Sequence, residues 1–319
     1  MGRTMAEYEK VLWHISNSNE RLSTQYLYSL SGMTHERLMR FQEIWPSVEV
    51  SRRRMLMRSL VELTELSFEV NFDPIFLVAL GDVDSEVRAA AIEGLWENED
   101  QSLIGPLVHL LRADEASNVR AAAAMAMARF VLLGELEKID RAPAMLVEEA
   151  LLETLRSAEE NLEVRRRAVE ALAYSGEAGV REIIEAAFYD EDEKMQASAL
   201  FAMGRSADLY WCKSLVKELD NPSPELRFEA TRACGELENR LAVSRLIQMS
   251  MGDRDREVQQ AAVGALGRIG GREAREALET FYESEDEVLS QSAGEALGEM
   301  DLLGDSLTIP LHEDYDEYE

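Results

Sequence analysis

A chain of 319 residues is too long for one ordinary globular core, but an array of repeats can run that length as a single continuous domain. Apolar residues make up 46%, which excludes wholesale disorder, and their unbroken runs are too short to cross a bilayer as a helix. The net charge of −29 excludes the clustered cationic surface that DNA, RNA or anionic lipid requires, and it favours a partner with a basic face.

Residues 1–46 read as an N-terminal helical cap, with helices near 4–15, 23–31 and 34–44, the last introduced by Thr34 as its cap. The first fifteen residues carry scattered charges and no apolar core, so no secretory leader is expected and a cytoplasmic location is the default.

From 47 to 300 one pattern recurs: an aliphatic residue, often an Arg after it, small residues further on, then Leu. Its aliphatic start falls at Met55, Val87, Val119, Val164, Met195, Leu226, Val258 and Leu289. Segments such as EVRAAAIEGLWE, NVRAAAAMAMAR and EVQQAAVGALGR carry it. The first, fifth and ninth positions, for example Val258, Ala262 and Leu266, share one helical face, and the small middle residue admits a close neighbour. Acidic or Asn-containing turns (DVDSE, NPSPE, DRDRE) precede each match and can cap the helix start. A second apolar helix, such as LIGPLVHLL or AVSRLIQM, lies between matches. Each unit is thus a helical hairpin that cannot cover its own apolar face, and stacking about eight of them buries it. The predicted fold is all-α, a right-handed α-solenoid of armadillo or HEAT-like form.

One interval, from Val119 to Val164, is longer than the others. The surplus lies in FVLLGELEKIDRAPAM, which predicts a lengthened helix and a bend near Gly134 and Pro143. Residues 301–319 hold seven acids and no Lys or Arg, and read as an acidic flexible tail.

The turn Asp, the aliphatic-Arg pair, the spaced Ala and the Leu-Gly ending of DREVQQAAVGALGRIG resemble the short HEAT-like repeat of phycobilisome-lyase-type and related bacterial proteins. That resemblance implies that Arg88, Arg120, Arg165 and Arg227 form a structural ladder to the turn acids. Gln196, Gln259 and Ser290 should interrupt it. It also raises a bilin-lyase-like or cofactor-protein maturation role as the alternative function.

The residues themselves present no glycine-rich phosphate loop, nucleophile elbow or HExxH run, so the reading assigns no catalytic, cofactor or metal residues. The His-Glu pairs at His35 and His312 lie in the cap and tail, and His109 reads as a core histidine. Cys212 and Cys234 read as buried free thiols. Rows six and ten residues after the aliphatic starts are expected to line the concave side. With Trp96 they give a candidate partner-binding set of Glu93, Trp96, Glu97, Met125, Arg129, Glu170, Tyr174, Phe201, Arg205, Arg232, Glu236 and Arg268. The expected function is a non-catalytic protein-interaction scaffold whose groove holds a protein, with a basic or helical segment, and binds neither nucleic acid nor membrane.

Overall fold

The computed structural model describes residues 5–177 and 179–306, with side chains described as far as Leu302. All regular structure among these residues is helical, and the chain divides into two compact units, Met1–Ser175 and Gly176–Glu319.

In the first unit the helices are α1 (Met5–Ser16), α2 (Thr24–Tyr28), α3 (His35–Ile44), α4 (Val50–Leu66), α5 (Asp73–Ala79), α6 (Ser85–Gly94), α7 (Ile104–Ala113), α8 (Ser117–Glu135), α9 (Arg141–Arg156) and α10 (Leu162–Leu172). Hairpins α5/α6, α7/α8 and α9/α10 pack side by side, and α4, α6, α8 and α10 form one continuous row. The second unit holds α11 (Val180–Phe188), α12 (Glu193–Arg205), α13 (Cys212–Glu218), α14 (Pro224–Glu236), α15 (Val243–Gly252), α16 (Arg256–Ile269), α17 (Arg272–Tyr282) and α18 (Glu287–Ser306). There α12, α14, α16 and α18 make the corresponding row. The predicted stripe is the buried one: Val87, Ala91 and Leu95, like Val258, Ala262 and Leu266, are at most 1% exposed.

Two kinds of acceptor recur in the turns. The first accepts the amide two residues on, as Asp82, Asp114, Asp190, Asn221 and Asp253 all do at 2.9 Å, closing an Asx turn. The second caps the following helix: Asp84, Asn161, Asp192, Ser223 and Asp255 accept from the free amides of α6, α10, α12, α14 and α16.

The ladder is built on the same acceptors. Arg88 makes a bidentate pair with Asp114 (2.7 and 2.7 Å), Arg120 with Glu160 (3.0 and 2.7 Å) and Arg227 with Asp253 (2.8 and 2.7 Å). Each also donates to the carbonyl six residues back, on Asp82, Asp114 and Asn221 respectively. Gln196 and Gln259 keep only this second bond, to Asp190 and Asp253 at 2.7 Å. Arg165 departs from the expected role. It lies on the last helix of the first unit, forms no ion pair among the described residues, and its buried Nε has no acceptor.

The first repeat needs a correction. Met55 is 52% exposed and cannot be a core start. Arg53 instead takes the ladder place, 3.3 Å from Asp82, which also accepts from the Trp45 indole at 2.7 Å. Arg52 sits in the aliphatic slot, 2% exposed. Its buried charge is accommodated by three carbonyls around the end of α1, those of Ile15 (2.9 Å), Glu20 (2.7 Å) and His14 (2.9 Å). Residues 5–44 are thereby tied to α4. Thr34 accepts from the Arg37 amide, as its capping position predicts.

The surplus residues lengthen the last helix of one hairpin and the first of the next, α8 to 19 residues and α9 to 16. At their junction Gly134 lies so close to Ala144 that an added Cβ would meet its Cβ at 2.7 Å. Helix α18 runs through Asp301 to Ser306, six residues into the segment read as tail; 307–319, with His312, lie outside the described residues. His109 is exposed, not core, because its side of α7 faces away from α8 and α9. Cys234 is buried and Cys212 only half-buried.

Candidate functional site

The candidate row differs between the units at the residue nine places after each aliphatic start. In the second unit this is Gly204, Gly235 and Gly267. A Cβ there would lie 2.9 Å from the Ala233 Cα, 3.0 Å from the Ala265 Cα and 2.9 Å from the Ala296 Cβ, so successive helices touch backbone to backbone. In the first unit the same place is taken by Ala128, Ala173 and, just beyond the end of α6, Trp96. An indole has no room in such a contact and stands 49% exposed.

Beside it a cleft of about 630 Å³ opens over α6 and α8. Its walls are Ala89, Ile92, Glu93, Trp96, Ala122, Met125, Ala126, Ala128, Arg129, Leu132 and Tyr174. Of the residues singled out from sequence, Glu93, Trp96, Met125, Arg129 and Tyr174 therefore meet in one place. Met125 is 50% and Leu132 38% exposed, an apolar surface left to water. Leu132 and Ile92 escaped the sequence reading because their contribution depends on the lengthened α8 and on the displaced Trp96.

Arg129 is the one cation of this cleft. Its Nη1 donates to the Trp96 carbonyl at 3.0 Å and its guanidinium lies 4.8 Å from the Phe130 ring centre. Nε and Nη2 are buried without an acceptor. Burial pushes its pKa down to about 10, against the opposing pull of Asp73 and Glu99, so it stays charged at neutral pH.

The remaining candidates lie elsewhere. Glu97 is exposed and outside the cleft. Glu170 is buried and bonded to Arg167 at 2.7 Å, so it cannot meet a partner without breaking that pair. In the second unit the row is occupied with itself. Arg205 pairs with Glu236 at 3.1 Å and lies 5.3 Å from the Phe201 ring centre. Arg232 stands over Phe201 and Phe228 at 6.0 and 5.8 Å, and Arg268 reaches Glu299 at 3.5 Å.

A second cleft of about 740 Å³ lies among the turns of the second unit, walled by Asp220, Asn221, Arg227, Arg245, Asp253 and Arg254 among others. Its charges are balanced, with Arg245 on Asp220 at 2.6 Å and Arg227 on Asp253. Among the described residues no group of three or more His, Cys, Asp or Glu is placed to hold a metal ion. His14 accepts the Ser23 amide at 3.2 Å and packs against Tyr26, a structural role. No described helix is long and apolar enough to cross a membrane.

The HEAT repeat family matches residues 73–150 and 212–298, just over half of the chain. The chain belongs to the HEAT repeat family. No curated protein matches it. Among solved structures, YibA of Escherichia coli is similar at 14% identity, over 94% of this chain and 97% of that one, with a TM-score of 0.45. The complex of CpcE and CpcF of phycocyanin lyase from Nostoc is similar at 18% identity, over 72% of this chain and 94% of that one, with a TM-score of 0.46. Human deoxyhypusine hydroxylase is similar at 17% identity, over 93% and 96%, with a TM-score of 0.37. As a HEAT-repeat chain its helices form an α-solenoid, an architecture that presents extended surfaces for binding.

Proposed function

We propose that this chain is a non-catalytic adaptor of the cell interior that holds a partner protein, with the cleft beside Trp96 as its principal docking place. One observation carries the reading: Trp96, Met125, Leu132 and Tyr174 leave an apolar cleft open on a surface where the second unit closes its own row with Gly-Ala contacts and Arg-Glu pairs. Large half-exposed aromatic and Met side chains around a concavity are the anchors typical of protein recognition. The carboxylates of the turns cap helices or meet ladder arginines, which leaves them poorly suited to acid–base work.

The test compares capture of protein from the source cell by the wild-type chain, a Trp96→Ala, Tyr174→Ala double variant, and Phe201→Ala. We expect one or a few proteins bound by the wild type and by Phe201→Ala, and lost from the double variant. Both changes are at the surface, so the melting temperature should move by no more than about 2 °C. Equal capture by all three chains, or none above background, refutes the proposal.

A further inference from the structure

We propose that the segment seated in the cleft beside Trp96 is a peptide of the partner combining an apolar anchor with a carboxylate side chain, and that the carboxylate pairs with Arg129. This rests on the docking role given to the cleft above, and it names the chemistry of the occupant.

Arg205 has Glu236 and Arg268 has Glu299, each one repeat further along. In the first unit the consecutive members of the same row are Glu97, in the turn after α6, and Arg129 on α8, a pair of opposite sign. They do not meet. Trp96 takes the place between them, and Arg129 turns instead to the Trp96 carbonyl, which engages Nη1 alone. Glu97 forms no ion pair among the described residues and stands exposed. Arg129 is therefore a guanidinium held against an apolar wall with two nitrogens that no group among the described residues accepts.

Leaving such donors unpaired is costly, and the cost is relieved by whichever occupant brings an acceptor. A carboxylate fits best, because it accepts from two guanidinium nitrogens at once. The present conformation covers Nε and Nη2, so Arg129 must swing toward the cleft as the segment enters. The walls set the rest of the occupant: Trp96, Met125, Leu132 and Tyr174 want an aliphatic or aromatic side chain. A Lys or Arg in the same place supplies no acceptor for the two nitrogens of Arg129 and finds only Glu93 on the wall to meet it. The acidity of the whole chain draws basic partners from a distance, whereas the cleft itself selects an acid.

The experiment selects twelve-residue peptides from a random display library on the immobilised full chain, with Trp96→Ala as the counter-selection. One selected peptide is then synthesised with Glu or Asp, and again with Gln or Asn in its place, and each is titrated calorimetrically against the wild-type chain. Because the amide exchange is made on the peptide, folding of a protein variant is not in question. Expected are peptides rich in Leu, Phe or Trp with an adjacent acid, and a loss of about tenfold or more in affinity on amide replacement. Arg129→Met, checked for an unchanged helical spectrum, should bind acid and amide forms alike. Higher salt should leave the affinity nearly unchanged, since a pair closed off from water is weakly screened. Apolar peptides that depend on Trp96 but carry no acid, or carry Lys or Arg, overturn this inference and leave the docking role standing. A failure to enrich any peptide that depends on Trp96 overturns both.

Discussion

Replacing Arg227 with Gln separates the two bonds of one ladder rung. The Gln amide can still donate to the Asn221 carbonyl, as Gln196 and Gln259 do six residues back, but it is too short to reach Asp253. What is lost is a bidentate pair whose two partners are 13% and 5% exposed. A hydrogen bond to a charged group contributes about 1.5–3 kcal/mol. Asp253 retains the Asp255 amide at 2.9 Å, so the loss should sit at the low end, about 1.5–2 kcal/mol. Arg227→Ala removes the carbonyl bond and the packed stem as well, and should cost about 3 kcal/mol or more. Urea unfolding followed by circular dichroism, with amide exchange read over 224–269, measures both. The pH dependence has a defined sign. Burial raises the Asp253 pKa, but Arg227 and the Asp255 amide outweigh it and hold it below the usual carboxylate range. A carboxylate depressed in the folded state contributes stability above its unfolded pKa, about 3.9, and loses it as pH falls through the folded value. The gap between wild type and Arg227→Gln should therefore be complete at pH 7 and shrink below about pH 4. Equal damage from Gln and Ala at pH 7, or a gap that persists in acid, would refute this account of the rung.

Two glycines on α16 should respond in opposite directions to alanine. Gly264 has open space around its missing Cβ, so Gly264→Ala should stabilise by about 0.5–1 kcal/mol. A Cβ on Gly267 would lie 2.9 Å from both the Cβ and the carbonyl oxygen of Ala296, so Gly267→Ala should destabilise by about 1–3 kcal/mol less its helix-propensity gain; thermal melts rank the two. Arg52→Met leaves the carbonyls of His14, Ile15 and Glu20 without their donor, and amide exchange should accelerate selectively across residues 5–16. Burial pushes the Cys234 thiol up to about 12, whereas Cys212 is half-buried. At pH 8 a thiol reagent should modify Cys212 first and reach Cys234 only on unfolding; mass spectrometry of the labelled chain reports the order.

The turns were the most legible part of the chain, because each acceptor acts on an amide two or three residues away. The hairpin periodicity was legible for the same reason, being a property of one helix at a time. The register of the first repeat was not. Arg52 fills an aliphatic slot only because carbonyls more than thirty residues earlier receive it, and nothing local announces that. Arg165 carries the ladder signature yet forms no ion pair among the described residues. Of the candidate positions, Glu93, Trp96, Met125, Arg129 and Tyr174 line one cleft. Whether those positions stay open depends on one exchange, glycine for tryptophan, whose effect is felt only across two packed helices.

The rung missing at Gln259 has a consequence for how the second unit comes apart. There Ser284 holds the place of the rung acid, and the cross-link is a different one, Arg256 on the capping Asp286 at 2.6 Å, with 51% and 38% of the two side chains in water. Mobile ions reach such a contact, while the dry pair of Arg227 and Asp253 is sheltered from them. The joint next to the final hairpin is thus a seam that brine loosens and the one before it a seam that brine leaves shut, so detachment should begin at the α17–α18 end.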